Sequence, residues 1–117
     1  MITFTIPMPP SVNNSYANVA GVGRVKGKEL KAWLTKAGWE VKAQMRPIPN
    51  GKYLFTKPVA VDIQLKPSRG DIDNRAKAVL DLATSLHIWR DDNLVYDLRL
   101  RWANVEGCQV TISEIEA

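Results

Sequence analysis

Two residue types that build many binding and catalytic sites are almost missing from this chain, which has one cysteine, Cys108, and one histidine, His87. A lone thiol closes no internal disulfide, so a disulfide-stapled scaffold is excluded and a reducing cytoplasm is the expected compartment. His87 falls at the end of a helical pattern and reads as a partner for the helix dipole rather than a ligand. No apolar run is long enough to cross a bilayer, which argues against a membrane protein. The opening Met-Ile-Thr-Phe-Thr-Ile-Pro lacks the charged start and apolar stretch of a signal peptide. Without secretion, the Asn13-Asn14-Ser15 sequon carries no meaning. Internal repeats and low-complexity tracts are absent too. At 117 residues the chain is expected to be one domain over 1–117, and so small a core favours a homodimer.

What is present is basic charge, unevenly spread. The net charge is +4. Residues 1–57 hold nine Lys/Arg against two acids, Glu29 and Glu40, whereas residues 58–117 hold seven against ten. Basic surface attracts phosphate backbones in a salt-dependent way, although a modest positive balance is also what ordinary solvated surface looks like.

The elements are short and well punctuated. Ile2, Phe4 and Ile6 alternate with threonines as an opening strand that stops at Pro7 and Pro9-Pro10. Residues 11–28, rich in Ser, Asn, Gly and Lys, read as a long loop. From about Glu29 to Met45, Leu30, Leu34, Ala37, Val41 and Met45 recur at helical spacing, and Pro47 closes that helix. After a turn and a short aromatic segment at Tyr53–Phe55, Val59, Val61, Ile63 and Leu65 alternate as a half-buried strand. Two strands end the chain, roughly Leu94–Trp102 with Tyr96, Leu98, Leu100 and Trp102 on one face, and Gln109–Ile115. Gly107 between them is a hairpin signal. The expected architecture is α/β (α+β), a mixed sheet of about four strands with two main helices.

The densest chemistry lies in Asp71-Ile72-Asp73-Asn74-Arg75-Ala76-Lys77, followed after a gap by Asp91-Asp92. Acids gathered inside a basic protein suggest a divalent metal set where a polyanion can reach it. Ile72, Ala76, Val79, Ala83 and Leu86 form an apolar helical stripe from Asp71 to about Leu86. Asp73, Lys77, Asp81 and Thr84 form the opposite one. Asp73 and Lys77 therefore project one turn apart, while Asp71 stands at the helix entrance. Each acid also has a structural reading: Asp71 as an N-cap, Asp73 as a dipole partner, Asp73–Lys77 as an ion pair, Asp91-Asp92 as a polar turn. A cap alone, however, needs neither Asp-x-Asp-Asn nor a lysine one turn on nor a further acidic pair.

Asp71-Ile72-Asp73-Asn74-x-x-Lys77-x-x-x-Asp81, then Ile88-Trp89-x-Asp91-Asp92-x-x-Val95, resembles the signature of the RusA family of Holliday junction resolvases, found in bacteria and their prophages. Pro7-Met8-Pro9-Pro10-Ser11-Val12-Asn13-Asn14 resembles that family's proline-rich entry, so the likeness spans nearly the whole chain. It implies a RusA-like fold, with Asp71, Asp73 and Asp92 as catalytic metal-binding carboxylates, Lys77 as the catalytic-site lysine and Asp91 as a second acid beside the third ligand. It also implies a homodimer acting on four-way junctions in DNA recombination and repair. One departure is visible: Lys66-Pro67-Ser68-Arg69-Gly70 offers fewer positive charges than the family's better-known member carries before the first Asp.

The implied chemistry suits these residue types. Mg²⁺, or Mn²⁺ in its place, is a hard cation that takes oxygen ligands. It lowers the pKa of bound water and polarises a phosphate. Lys77 is assigned to stabilising the transition-state charge or positioning the water, and Asn74 to orienting the carboxylates from behind. Asp81 is read as structural, pairing with Lys77. Arg24, Lys26 and Lys28 on a flexible basic loop, with Arg69, Asn13 and Asn14, are the expected DNA contacts. Gly21-Val22-Gly23-Arg24 lacks the preceding strand of a phosphate loop. Trp33 and Trp102 fit apolar faces, while Trp39 and Trp89 fall off them, where they would be free to stack on bases. Two rival readings share these features: a nuclease for other branched DNA, and a non-catalytic branched-DNA-binding protein.

Overall fold

The computed structural model describes residues 1–11, 16–19, 23–46, 48 and 51–115, with the backbone alone described for 16–19 and 23–26. In chain order the elements are β1 (Ile2–Ile6), β2 (Tyr16–Val19), β3 (Gly23–Lys26), α1 (Lys28–Gln44) and β4 (Val59–Leu65). A 3-10 turn (Ile72–Arg75) then leads into α2 (Ala76–Ser85). A second 3-10 turn (Asp92–Leu94) leads into β5 (Val95–Trp102), and β6 (Cys108–Glu114) follows.

β4 organises the sheet. Its Val59, Val61, Ile63 and Leu65 are buried while Ala60, Asp62 and Gln64 are not, the period-2 alternation of a strand with one face in the core. It pairs in parallel with β5 and antiparallel with β6, and β1 pairs antiparallel with β6, giving the order β1-β6-β4-β5. The mixed four-stranded sheet with two helices is thus as expected. Both helices cover one face. Leu30, Trp33, Ala37 and Val41 of α1, and Ala78, Val79, Leu82 and Ala83 of α2, close over Phe4, Ile6, Val61, Ile63, Val110 and Ile112. Among the described residues no helix is long and apolar enough to cross a membrane.

Four expectations need correction. First, β5 and β6 form no hairpin, because β4 lies between them. The chain steps across the end of β4, pinned by Ala103 N–H to Leu65 O (2.8 Å) and Lys66 N–H to Gly107 O (2.9 Å). Gly107 is needed there for another reason: its φ is +65°, and a Cβ would sit 2.5 Å from the Ile6 carbonyl oxygen. Second, the long loop over 11–28 contains the antiparallel ribbon β2–β3, with Tyr16 opposite Lys26. Its polar, glycine-bearing sequence hides a strand whose pairing is with itself rather than with the core. Third, the helix expected from Asp71 begins as a 3-10 turn and becomes α-helical only at Ala76.

The fourth correction concerns two tryptophans. Trp89 is fully buried, its indole N–H donating to Thr84 Oγ at 2.8 Å, so the ring is core and cannot meet a base. Trp102 shares the core face of the sheet, opposite Leu65, but β5 is an edge strand beyond the cover of the helices, so Tyr96, Leu98 and Trp102 stay exposed. Trp33 is buried as expected, bonding Pro7 O at 3.0 Å. α1 ends at Gln44, and Pro47, read as its stop, lies outside the described residues.

Candidate active site

The site forms where the chain leaves β4 and where it enters β5. After Leu65 it turns through Gly70, whose φ of +90° belongs to the left-handed region that glycine tolerates, and delivers Asp71 in extended conformation to the first 3-10 turn. Because β4 and β5 run parallel, the C-terminal end of one and the N-terminal end of the other would be far apart. α2, which follows the 3-10 turn after β4, spans the gap by packing against the 3-10 turn that enters β5.

Asp71 occupies the cap position, yet its carboxylate makes no capping hydrogen bond; the Asp71 carbonyl, not the side chain, accepts from Asn74 N–H at 3.2 Å. The structural explanation for Asp71 thereby loses its force, and the carboxylate stays exposed and available. Asp73 is exposed in the same turn. The ion pair formed by Lys77 is with Asp81, four residues on, at 3.8 Å, and not with Asp73. That pairing agrees with the expectation for Asp81. At the other approach, Asp91 caps the second 3-10 turn by accepting Asn93 N–H at 3.0 Å, and its side chain also bonds Asp92.

Electrostatics tie the two approaches together. The Asp92 carboxyl is held above the usual carboxylate range, first by partial burial, then by a hydrogen bond to and the charge of Asp91. Asp81 adds to the rise and the Lys77 ammonium opposes it. Asp92, Asp91, Asp81 and Lys77 therefore share one neighbourhood, with Asp71 and Asp73 on the turn that precedes α2. Among the described residues no three carboxylate, histidine or cysteine side chains stand close enough together to hold one ion. The donor set fits a hard cation all the same: it is made of carboxylates, and the charges of Asp91 and Asp81 that add to the desolvation of Asp92 are what a bound cation relieves. Asn74 is half-buried, and among the described residues its carboxamide bonds none of these carboxylates.

One residue that spacing alone passes over is Arg75. Its guanidinium donates to Pro9 O, to Arg69 O at 3.3 Å and to Ser68 Oγ at 3.5 Å. It clamps the proline-rich entry and the loop before Asp71 onto the 3-10 turn. Read as a helix position, Arg75 is just a polar side chain between motif residues; only the return of Pro9, 66 residues away in sequence, gives it a partner. Arg69 and Lys28 are exposed. Arg24 and Lys26 lie on β3, described by its backbone alone, and Asn13 and Asn14 lie outside the described residues. His87 takes a left-handed conformation (φ +61°) just past α2, and its ring packs on Tyr53 at 5.4 Å between centroids.

Comparison with known proteins agrees with this layout. The family described as "Endodeoxyribonuclease RusA" matches residues 7–113. A curated relative, "Crossover junction endodeoxyribonuclease RusA" of Escherichia coli O139:H28 (strain E24377A / ETEC), is 32% identical over 101 residues, covering 84% of this chain and 79% of the relative. The match takes in the proline-rich entry, both acidic motifs, β4, β5 and all of β6 but its last residue, while β1 precedes it. This chain belongs to the RusA family of endodeoxyribonucleases.

Proposed function

We propose that this chain resolves four-way DNA junctions, as a structure-selective endodeoxyribonuclease that hydrolyses phosphodiesters with the help of a divalent metal. The observation that carries the reading is the meeting of Lys77 with Asp92, Asp91 and Asp81 beside the turn that bears Asp71 and Asp73. Asp71, Asp73 and Asp92 would hold Mg²⁺ or Mn²⁺, which when bound supplies an acidified water and relief of phosphoryl charge. Lys77, paired with Asp81, places a compact ammonium where charge builds on the phosphoryl oxygens. Asp91 keeps Asp92 in place by capping the turn between them and β5. Arg75 is a positioning residue that fixes the loop from Ser68 to Asp71. Arg24, Lys26, Lys28 and Arg69, with Asn13 and Asn14, meet the DNA backbone.

A junction has near-twofold symmetry, and two matched cuts need two sites related in the same way, which a C₂ homodimer provides. The free edge of β5, with Tyr96 73% exposed and Leu98 and Trp102 beside it, supports such pairing. The opposite edge is closed within the chain: the Gln44 carboxamide accepts Thr5 N–H at 2.8 Å and donates to Thr5 O at 2.7 Å. A cytoplasmic location suits the single cysteine, Cys108, which is buried and whose thiol pKa is pushed up to about 12 by desolvation.

The test is cleavage of a mobile four-way junction against a linear duplex, with Mg²⁺, with EDTA, and with Asp73→Asn. Paired symmetric nicks confined to the junction, lost with EDTA and with the variant, are expected. Cleavage of flaps but not junctions would move the activity to other branched DNA. Binding without any cleavage under Mg²⁺ or Mn²⁺ would leave a non-catalytic DNA-binding protein.

A further inference from the structure

The outer face of α1 has a pattern that neither the packing of the helix nor the catalytic site uses. At about 100° per residue, Lys28, Lys31, Thr35, Trp39 and Lys42 fall on one stripe, all exposed. The two acids of the helix, Glu29 and Glu40, lie off that stripe, more than a quarter turn round. Among the described residues no carboxylate comes within ion-pairing distance of Lys28, Lys31 or Lys42. Thr35 turns its hydroxyl back to Lys31 O at 3.1 Å, which leaves the lysines and the indole as the outward groups.

Trp39 is the anomaly. It is 70% exposed in the middle of a 17-residue helix whose other tryptophan, Trp33, is buried. Leaving so large an apolar side chain in water forgoes the stabilisation its burial would bring. Lys42 lies over its ring at 5.5 Å from the centroid, a cation beside the exposed indole. Beyond the helix, Arg46 and His87 stand on the lip of a cleft of about 340 Å³ between the C-terminal ends of α1 and α2. At the other end, Lys28 follows directly on β3, the strand that carries Arg24 and Lys26. The stripe thus prolongs the basic segment along the length of α1, some 20 Å from Lys28 to Lys42.

Uncompensated cations in a row around one exposed aromatic are complementary to a polyanion with sugar surfaces between its charges. We infer that the outer face of α1 is a second DNA contact surface, on which Lys31 and Lys42 meet phosphates of a duplex arm and Trp39 packs against the nucleotide between them. This rests on the DNA reading above and adds an arm-holding surface to it. Such a surface grips the DNA away from the point of cleavage, so its contribution depends on the length of the arm presented.

The test compares binding of four-way junctions with arms of two helical turns and of half a turn, as a function of salt, for the intact protein, Lys31→Gln/Lys42→Gln and Trp39→Ala. The readout is the ratio of long-armed to short-armed affinity, in which any effect at the junction centre cancels. Removing two phosphate contacts is expected to lower that ratio and to reduce the log–log salt slope on the long-armed junction by about 1.8. Trp39→Ala is expected to lower the ratio with the slope unchanged, because its contact is not ionic. Ratios and slopes equal to those of the intact protein, while junctions are still bound and cut, would overturn the surface and leave the DNA reading standing. A shift in sedimentation with DNA affinity unchanged would overturn it in favour of an interface between proteins. No binding to any junction by the intact protein would overturn both.

Discussion

Replacing Arg75 by alanine tests whether the site is held from behind by one side chain. The guanidinium spans three segments, donating to Pro9 O, Arg69 O and Ser68 Oγ. Pro9 is buried, so its carbonyl has no ready access to water once the donor is gone, and an orphaned buried acceptor costs about 1–3 kcal/mol. The bonds to Arg69 and Ser68 are longer and lie near solvent, where water replaces them at little cost. The expected loss is therefore about 2 kcal/mol, most of it from the single bond to Pro9. At ~1–3 kcal/mol per molar in urea, that lowers the unfolding midpoint by about 1 M. Arg75→Lys keeps the charge and can reach Pro9 or the 68–69 loop but not both, so it should recover part of the stability and little of the cleavage rate. Equilibrium urea unfolding and single-turnover junction cleavage, run on both variants, separate the two effects. A midpoint within about 0.2 M of the parent for Arg75→Ala, with unchanged cleavage, would refute the clamp.

Two further outcomes follow from single groups. Gly107→Ala combines a φ of +65° with a Cβ 2.5 Å from the Ile6 carbonyl oxygen, so thermal or urea unfolding should show a loss of about 2–4 kcal/mol. Asp92→Asn should abolish cleavage yet stabilise the fold at neutral pH. Its folded-state carboxyl titrates above the ordinary value of 3.8, so the ionised form burdens the native state at pH values above that raised pKa, and the burden fades as pH falls through it and on toward 3.8. The gain from the variant should accordingly be present at pH 7 and gone in acid; a gain that instead grew on acidification would contradict the crowding of Asp91 and Asp81 around Asp92.

How much of this was legible beforehand differs by element. The alternation in β1, β4 and β6 and the stripes of α1 and α2 are local patterns whose periods match one buried face, so strand and helix follow from them directly. The acidic motif was legible as well, because Asp-x-Asp-Asn with a lysine one turn on is unusual in a plain cap. Trp89 misled because its burial depends on Thr84 satisfying the indole N–H, a partnership that no periodicity announces. The β2–β3 ribbon misled because its two strands are only four residues each and pair with each other, inside a stretch rich in Ser, Asn and Gly that reads as a loop.

The amino-acid order by itself thus determined the strands of the main sheet, the two long helices and their core stripes, since each depends on side-chain period over a few neighbours. Only the tertiary structure decided which strands touch, placing β4 between β5 and β6 and leaving β5 as the free edge. It alone decided that Asp92 comes to lie beside Lys77 and Asp81. It alone gave Arg75 a partner 66 positions away. The reason is that pairing and proximity are set by the packing of the whole sheet and its two helices, where contacts between distant positions are chosen by shape and by the need to satisfy buried polar groups.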